Sequence, residues 1–104
     1  DPVMPHIAIP TTAGTGSEVS NIAVIKNEDI GRKFNIAEFT IAPNVAILDP
    51  HLTTGLPRRL TAATGMDALS HAIDGMCSIM RNPVCSGHGL NAIRMIAKSL
   101  PTVV

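Results

Sequence analysis

The stretch Gly65-Met66-Asp67-Ala68-Leu69-Ser70-His71-Ala72-Ile73-Asp74 sets a carboxylate and an imidazole four positions apart inside a strongly helical run. On an α-helix, residues four apart lie one turn above each other, so Asp67 and His71 can aim an oxygen and a ring nitrogen at a single object. A divalent metal ion is one such object. The same spacing also suits a solvated pair contributing a few tenths of a kcal/mol. Stepping about 100° per residue puts Leu60, Ala63, Thr64, Asp67, His71, Asp74 and Ser78 on one stripe. Ala62, Met66, Leu69, Ile73, Met76, Cys77 and Met80 fall on the opposite one, which is expected to pack into a core.

A second candidate lies upstream, where Thr11-Thr12-Ala13-Gly14-Thr15-Gly16-Ser17-Glu18 gathers three threonines, a serine and two glycines in eight residues. Small hydroxyls and flexible glycines let backbone N–H groups and side-chain oxygens crowd around an anion, as a phosphate requires. Gly14-Thr15-Gly16 is not a dinucleotide fingerprint, because Val19 stands where a third glycine would fall and strand-like residues follow. An ordinary Thr/Gly turn has the same composition.

Strand signals occupy the first half of the chain. His6-Ile7-Ala8-Ile9 reads as a buried strand closed by Pro10, and residues 22–25 and 33–37 read as an antiparallel hairpin across a polar turn. Lys33, at the end of that turn, could reach an anion. Val45-Ala46-Ile47-Leu48, bounded by Pro43-Asn44 and Asp49-Pro50, has the form of a strand buried on both faces. Helix signals then take over. Thr53 and Thr54 offer caps and Pro57 suits a first turn, so a long helix is expected over about 57–80, with Gly65 and Gly75 inside it. Asn82-Pro83 reads as cap and first-turn proline of a second helix, with Ala92, Ile93, Ile96, Ala97 and Leu100 as its apolar stripe and Pro101 as its end. Strands first and helices second suit a junction between two domains better than a repeating βαβ unit.

Eight basic and eight acidic residues cancel, and neither sign forms a run, so nucleic acid and anionic membranes are not expected partners. An apolar fraction of 45% suffices for a core. Cys77 and Cys85 form no CxxC pair and suit buried thiols in a reducing, cytoplasmic setting. No run reaches the roughly 18 consecutive apolar residues of a membrane span. Asp1 in place of an initiator methionine, and an end at Val103-Val104, fit a piece of a longer chain.

The stretches Ile9-Pro10-Thr11-Thr12-Ala13-Gly14-Thr15-Gly16-Ser17-Glu18, Val45-Ala46-Ile47-Leu48-Asp49-Pro50 and Gly65-Met66-Asp67-Ala68-Leu69-Ser70-His71-Ala72-Ile73-Asp74 together resemble the iron-containing (group III) alcohol dehydrogenases in order and separation. The resemblance implies an α/β dinucleotide-binding domain followed by an all-α domain, with residues 1–52 ending the first and 53–104 opening the second. It implies a metal-dependent, NAD(P)-linked oxidoreductase that interconverts small alcohols with aldehydes or ketones, using Fe2+ or Zn2+, cytoplasmic and without a membrane partner, with assembly into a homo-oligomer left open. By motif position it matches Thr11, Thr12 and Ser17 to a loop beside the cofactor's pyrophosphate and nicotinamide, Lys33 and Leu52 to further cofactor contacts, and Asp67 and His71 to the first two of four metal ligands. The other two are histidines expected further downstream. Asp74 stands where glutamate is commoner, and His88 where a small or apolar residue is. A polyol or hydroxy-acid dehydrogenase, a non-catalytic structural module and a metal-free phosphate-binding module remain open alternatives.

If the threonine loop serves a cofactor, Thr11→Val and Thr12→Val together keep its shape and remove two hydroxyls. In the full-length protein, fluorescence titration should then show nicotinamide-cofactor binding weakened at least about tenfold, one lost bond to a charged group amounting to about 1.5 kcal/mol or more. The thermal midpoint should move little.

Overall fold

The computed structural model describes residues 4–104, so the first three residues of the expected 1–52 segment lie outside the described part. Four short strands precede two long helices: β1 (Ile7–Ala8), β2 (Ile22–Asn27), β3 (Arg32–Ala37), β4 (Val45–Ala46), α1 (Arg58–Cys77) and α2 (Pro83–Val103). The chain divides into two compact units, one holding all four strands and running up to Pro10 and over Gly16–Pro50, the other made of Thr11–Thr15 and His51–Val104.

In the strand unit, β1 and β4 pair in parallel, with Ile7 opposite Val45 and Ala8 opposite Ala46. Asn44 clamps them: its amide side chain accepts from the His6 N–H at 3.0 Å, and its own N–H donates to the His6 carbonyl at 3.0 Å. The Ile47 N–H donates to the Ala8 carbonyl at 2.9 Å. The strand expected over Val45 to Leu48 is shorter than its apolar run, and it is not buried on both faces: Val45, Ile47 and Leu48 are exposed, as are Ile7 and Ile9 of the pairing segment. A parallel sheet is buried when layers cover both faces, and nothing within this unit supplies them.

The hairpin forms as its pattern predicts and is longer than expected. β2 and β3 pair antiparallel from Ile22 opposite Ala37 to Asn27 opposite Arg32. Asn27 shapes the turn by accepting from the N–H groups of Asp29 (3.0 Å) and Ile30 (3.3 Å), and Gly31, at φ 61°, takes the left-handed conformation that returns the chain to β3.

The helical unit has two helices held face to face. Asn82 caps α2 as predicted, accepting from the N–H groups of Val84 and Cys85 at 3.0 Å each, with Pro83 in the first turn. Pro101 does not end the helix, which continues through it to Val103. α1 has no side-chain cap. Pro57 occupies the capping position, its carbonyl accepting from the N–H groups of Leu60 and Thr61 at 2.9 Å, while the Thr54 hydroxyl donates to the His51 carbonyl at 2.8 Å and closes the preceding turn. The helix stops at Cys77, short of the expected Met80, where Ser78 turns the chain by accepting from the Met80 N–H.

The stripe that packs overlaps the expected one only in part. Ala62, Leu69 and Met76 of the expected stripe are partly covered, but Met66, Ile73, Cys77 and Met80 stand exposed, and Thr61, Gly65, Ala68 and Ala72 are partly covered in their place. Small residues make the seam: a methyl on Gly65 would lie 2.5 Å from a Leu100 methyl, and one on Gly89 3.0 Å from the Ala72 carbonyl oxygen and 2.8 Å from the Met76 side chain. Gly89 is the one buried residue among those described. Gly65 thus has a packing reason, whereas a methyl on Gly75 would meet nothing.

Asn82→Ala should lower stability by about 1 kcal/mol, since two N–H groups lose their acceptor. A lower thermal midpoint in the full-length protein, with Pro83 left in place, checks this.

Candidate active site

Asp67 and His71 both lie in the middle of α1 and are exposed, next in the chain to the partly covered seam residues Ala68 and Ala72. Their facing atoms, Asp67 Oδ2 and His71 Nε2, are 3.7 Å apart. That is too long for a direct hydrogen bond. Metal bonds of 2.0–2.2 Å would separate two donors on a tetrahedral ion by about 3.4 Å, so the pair can take up a cation with a small side-chain adjustment. One hard carboxylate oxygen and one imidazole nitrogen form a donor set that suits Fe2+ or Zn2+. The side chains are 47% and 66% exposed respectively, so without a cation their mutual attraction is screened. Among the described residues no group of three or more His, Cys, Asp or Glu side chains gathers closely enough to hold a metal.

His71 also lines an open groove of about 330 Å³ between α1 and α2, shared with Ala72, Gly75, Val84, Cys85, His88, Gly89 and Ala92. His88 therefore looks into the same groove as His71, a proximity that its position along the chain does not announce.

The remaining sequence-derived candidates divide between the two units. Thr11, Thr12 and Leu52 belong with Asp67 and His71 in the helical unit, Leu52 in the tight turn Pro50–Thr53. Ser17 begins a short turn of 3-10 helix in the strand unit, directly after Gly16 in the left-handed conformation. Lys33 sits on β3 directly opposite Lys26, and the like charges are offset because the Lys26 ammonium donates to Glu28 at 2.9 Å.

Sequence reasoning missed a threonine-lined hollow. Thr53, Thr54, Thr61 and Thr64, with Ala13, Leu56 and Val103, surround about 410 Å³ in the helical unit. The hydroxyls of Thr54, Thr61 and Thr64 donate to the carbonyls of His51 (2.8 Å), Pro57 (3.2 Å) and Leu60 (3.1 Å). Each hydroxyl proton is thereby committed to the backbone, leaving oxygen lone pairs as acceptors for a guest that carries donors. The threonine-rich spacing in 53–64 was the available signal.

Short strands precede two packed helices, with Asp67 and His71 one turn apart on the first helix and a threonine loop folded against it. Residues 1–50 match the family profile of the iron-containing alcohol dehydrogenases, and residues 61–104 match that of the C-terminal part of the Fe-containing alcohol dehydrogenase family. The chain belongs to the iron-containing alcohol dehydrogenase family. It is 50% identical over 103 residues to the probable alcohol dehydrogenase EutG of Escherichia coli (strain K12), covering 99% of this chain and 26% of that protein. It is 45% identical over 103 residues to the NAD-dependent methanol dehydrogenase of Bacillus methanolicus, covering 99% of this chain and 27% of that protein. The crystal structure of sulfoacetaldehyde reductase from Bifidobacterium kashiwanohense in complex with NAD+ superimposes with a TM-score of 0.94 at 46% identity, over 97% of this chain and 27% of that one. The chain spans about a quarter of the length of these relatives. As in the sequence-based expectation, its fold is the end of an α/β unit followed by helices.

Because the Asp67 and His71 side chains are largely exposed, Asp67→Ala and His71→Ala should each change the stability of metal-free full-length protein by no more than a few tenths of a kcal/mol. Thermal unfolding in chelator measures this, and the small difference should shrink as salt is raised.

Proposed function

We propose that this chain is a segment of a metal-dependent, NAD(P)-linked alcohol dehydrogenase that interconverts small alcohols with aldehydes or ketones by hydride transfer. The observation that carries the reading is the Asp67–His71 pair, 3.7 Å between donor atoms, on a helix of a chain in this family. In this reading α1 presents both groups from one rigid element, so that the pair keeps its spacing as substrate comes and goes. A bound Fe2+ or Zn2+ would supply a Lewis acid for the substrate oxygen. Asp67 and His71 would hold that ion, and the latter must be neutral to do so.

Thr11, Thr12 and Ser17 are assigned to the cofactor's pyrophosphate and nicotinamide, with Lys33 and Leu52 as further contacts. None of these five residues lines the threonine hollow, which borders the same loop at Ala13; there the hydroxyl oxygens of Thr54, Thr61 and Thr64 would accept from ribose hydroxyls or a carboxamide N–H2. The NAD-dependence stated for the methanol dehydrogenase and the NAD+ in the reductase structure favour a nicotinamide cofactor. We assign 1–52 to the end of a cofactor-binding domain and 53–104 to the start of a metal-binding helical one; Thr11–Thr15 belong to the compact helical unit. The partner is a small-molecule substrate in a homo-oligomeric, cytoplasmic enzyme, and no helix among the described residues is long and apolar enough to cross a membrane.

Metal analysis of full-length Asp67→Ala and His71→Ala enzymes tests the reading. Each should lose most of its metal, and turnover should fall by more than about 100-fold, since disturbing even the groups behind a ligand costs 10- to 100-fold. Wild-type metal content in both would overturn the assignment.

A further inference from the structure

We propose that Gly14 is a positioning residue for hydride transfer, the point at which the threonine loop is seated directly on the backbone of the helix that carries Asp67. This rests on the function proposed above. Three observations lead to it. Thr11–Thr15 leaves the strands on either side of it in the chain and belongs instead to the helical unit. Within that unit Gly14 has no room for a side chain: a methyl there would press on the Thr64 carbonyl oxygen and lie 2.6 Å from the Thr64 carbonyl carbon and 2.8 Å from its Cβ. Thr64 lies three residues before Asp67, on the same stripe of α1.

The obstacle is helix backbone, not the end of a pliant side chain. Carbon atoms in ordinary contact are about 3.5–4.0 Å apart, so a methyl at position 14 must push loop and helix apart by about 1 Å. The helix is held by its own hydrogen-bond ladder and by the seam at Gly65 and Gly89, so the loop is the part that yields. Neighbouring Ala13 lines both the threonine hollow and the apolar groove beside Gly65, so displacement of the loop alters the hollow as well. Gly14 touches neither metal nor cofactor in this assignment. It sets how closely the residues that hold the cofactor approach those that hold the metal, and a misplacement of about 1 Å can cost about 100-fold in rate.

The test is Gly14→Ala in the full-length, metal-loaded enzyme. Its kcat should fall 10- to 100-fold, while metal content stays at the wild-type level and KM for the nicotinamide cofactor stays within about threefold. With deuterated alcohol a primary isotope effect should grow, because misplacement slows the hydride step itself. A folded Gly14→Ala enzyme with kcat within twofold of wild type would overturn the proposal. Should that variant not fold, Thr64→Gly removes the Cβ that flanks the backbone contact and loosens the seat without altering the loop, and Thr64→Ala, which keeps that Cβ and loses the hydroxyl, is its control. A fall in kcat in Thr64→Gly beyond that in Thr64→Ala, with metal retained, supports the seating contact, and equal kcat in the two rejects it. Failure of the underlying reading is separable, since it would show as metal retained in Asp67→Ala, whatever Gly14→Ala does.

Discussion

The close approach of α1 and α2 through small residues is the constraint on which the helical unit depends. Two helices can come together only as far as their side chains allow, and here Gly65, Ala68 and Ala72 on one helix face Gly89 and Ala92 on the other, with Leu100 and Met76 filling the spaces beside the glycines. Each glycine costs about 1 kcal/mol of helix propensity relative to alanine. Gly65 and Gly89 offset that with contacts a methyl would obstruct. Because small residues make the seam, Asp67 and His71 beside it stay largely exposed and need not be packed.

That arrangement separates what holds the helix from what could hold a metal. Asp67 and His71 are largely hydrated and their mutual attraction is weak, so they contribute little to folding and are available for a stronger electrophile. The threonines of the neighbouring hollow show the same division. Their protons satisfy helix and turn carbonyls, which stabilises local structure, and their lone pairs remain for a guest. In both places the backbone is satisfied first and polar side-chain atoms are left over.

The strand unit is built on fewer interactions. Asn44 joins β1 to β4 through paired bonds to His6, and Asn27 and Gly31 shape the hairpin turn, yet the apolar faces of these strands remain open. Phe39 and Val19 are likewise exposed. In the related full-length dehydrogenases this segment is about a quarter of the chain, which accords with strands whose side chains are apolar on surfaces that their own unit does not cover.

Local chemistry determined much of this protein from its sequence. The Asn82-Pro83 start of α2 was legible because a capping oxygen and a fixed proline φ act within a few residues. The hairpin was legible because two β-branched runs flank a polar turn, and the spacing of Asp67 and His71 because an α-helix has a fixed period. Three motifs in order carried the family. Tertiary structure alone decided which stripe of α1 packs: helical periodicity favours the larger Met66 and Ile73, but the neighbouring helix selects the face where the backbones can approach closest. It also decided that the helix passes through Pro101 and that His88 shares a groove with His71. Last, it decided that the threonine loop lies against the helix, with Gly14 over Thr64. Periodicity reports only neighbours along the chain, whereas that contact joins residues fifty positions apart, and the space available at their meeting is set by the packing of everything around them.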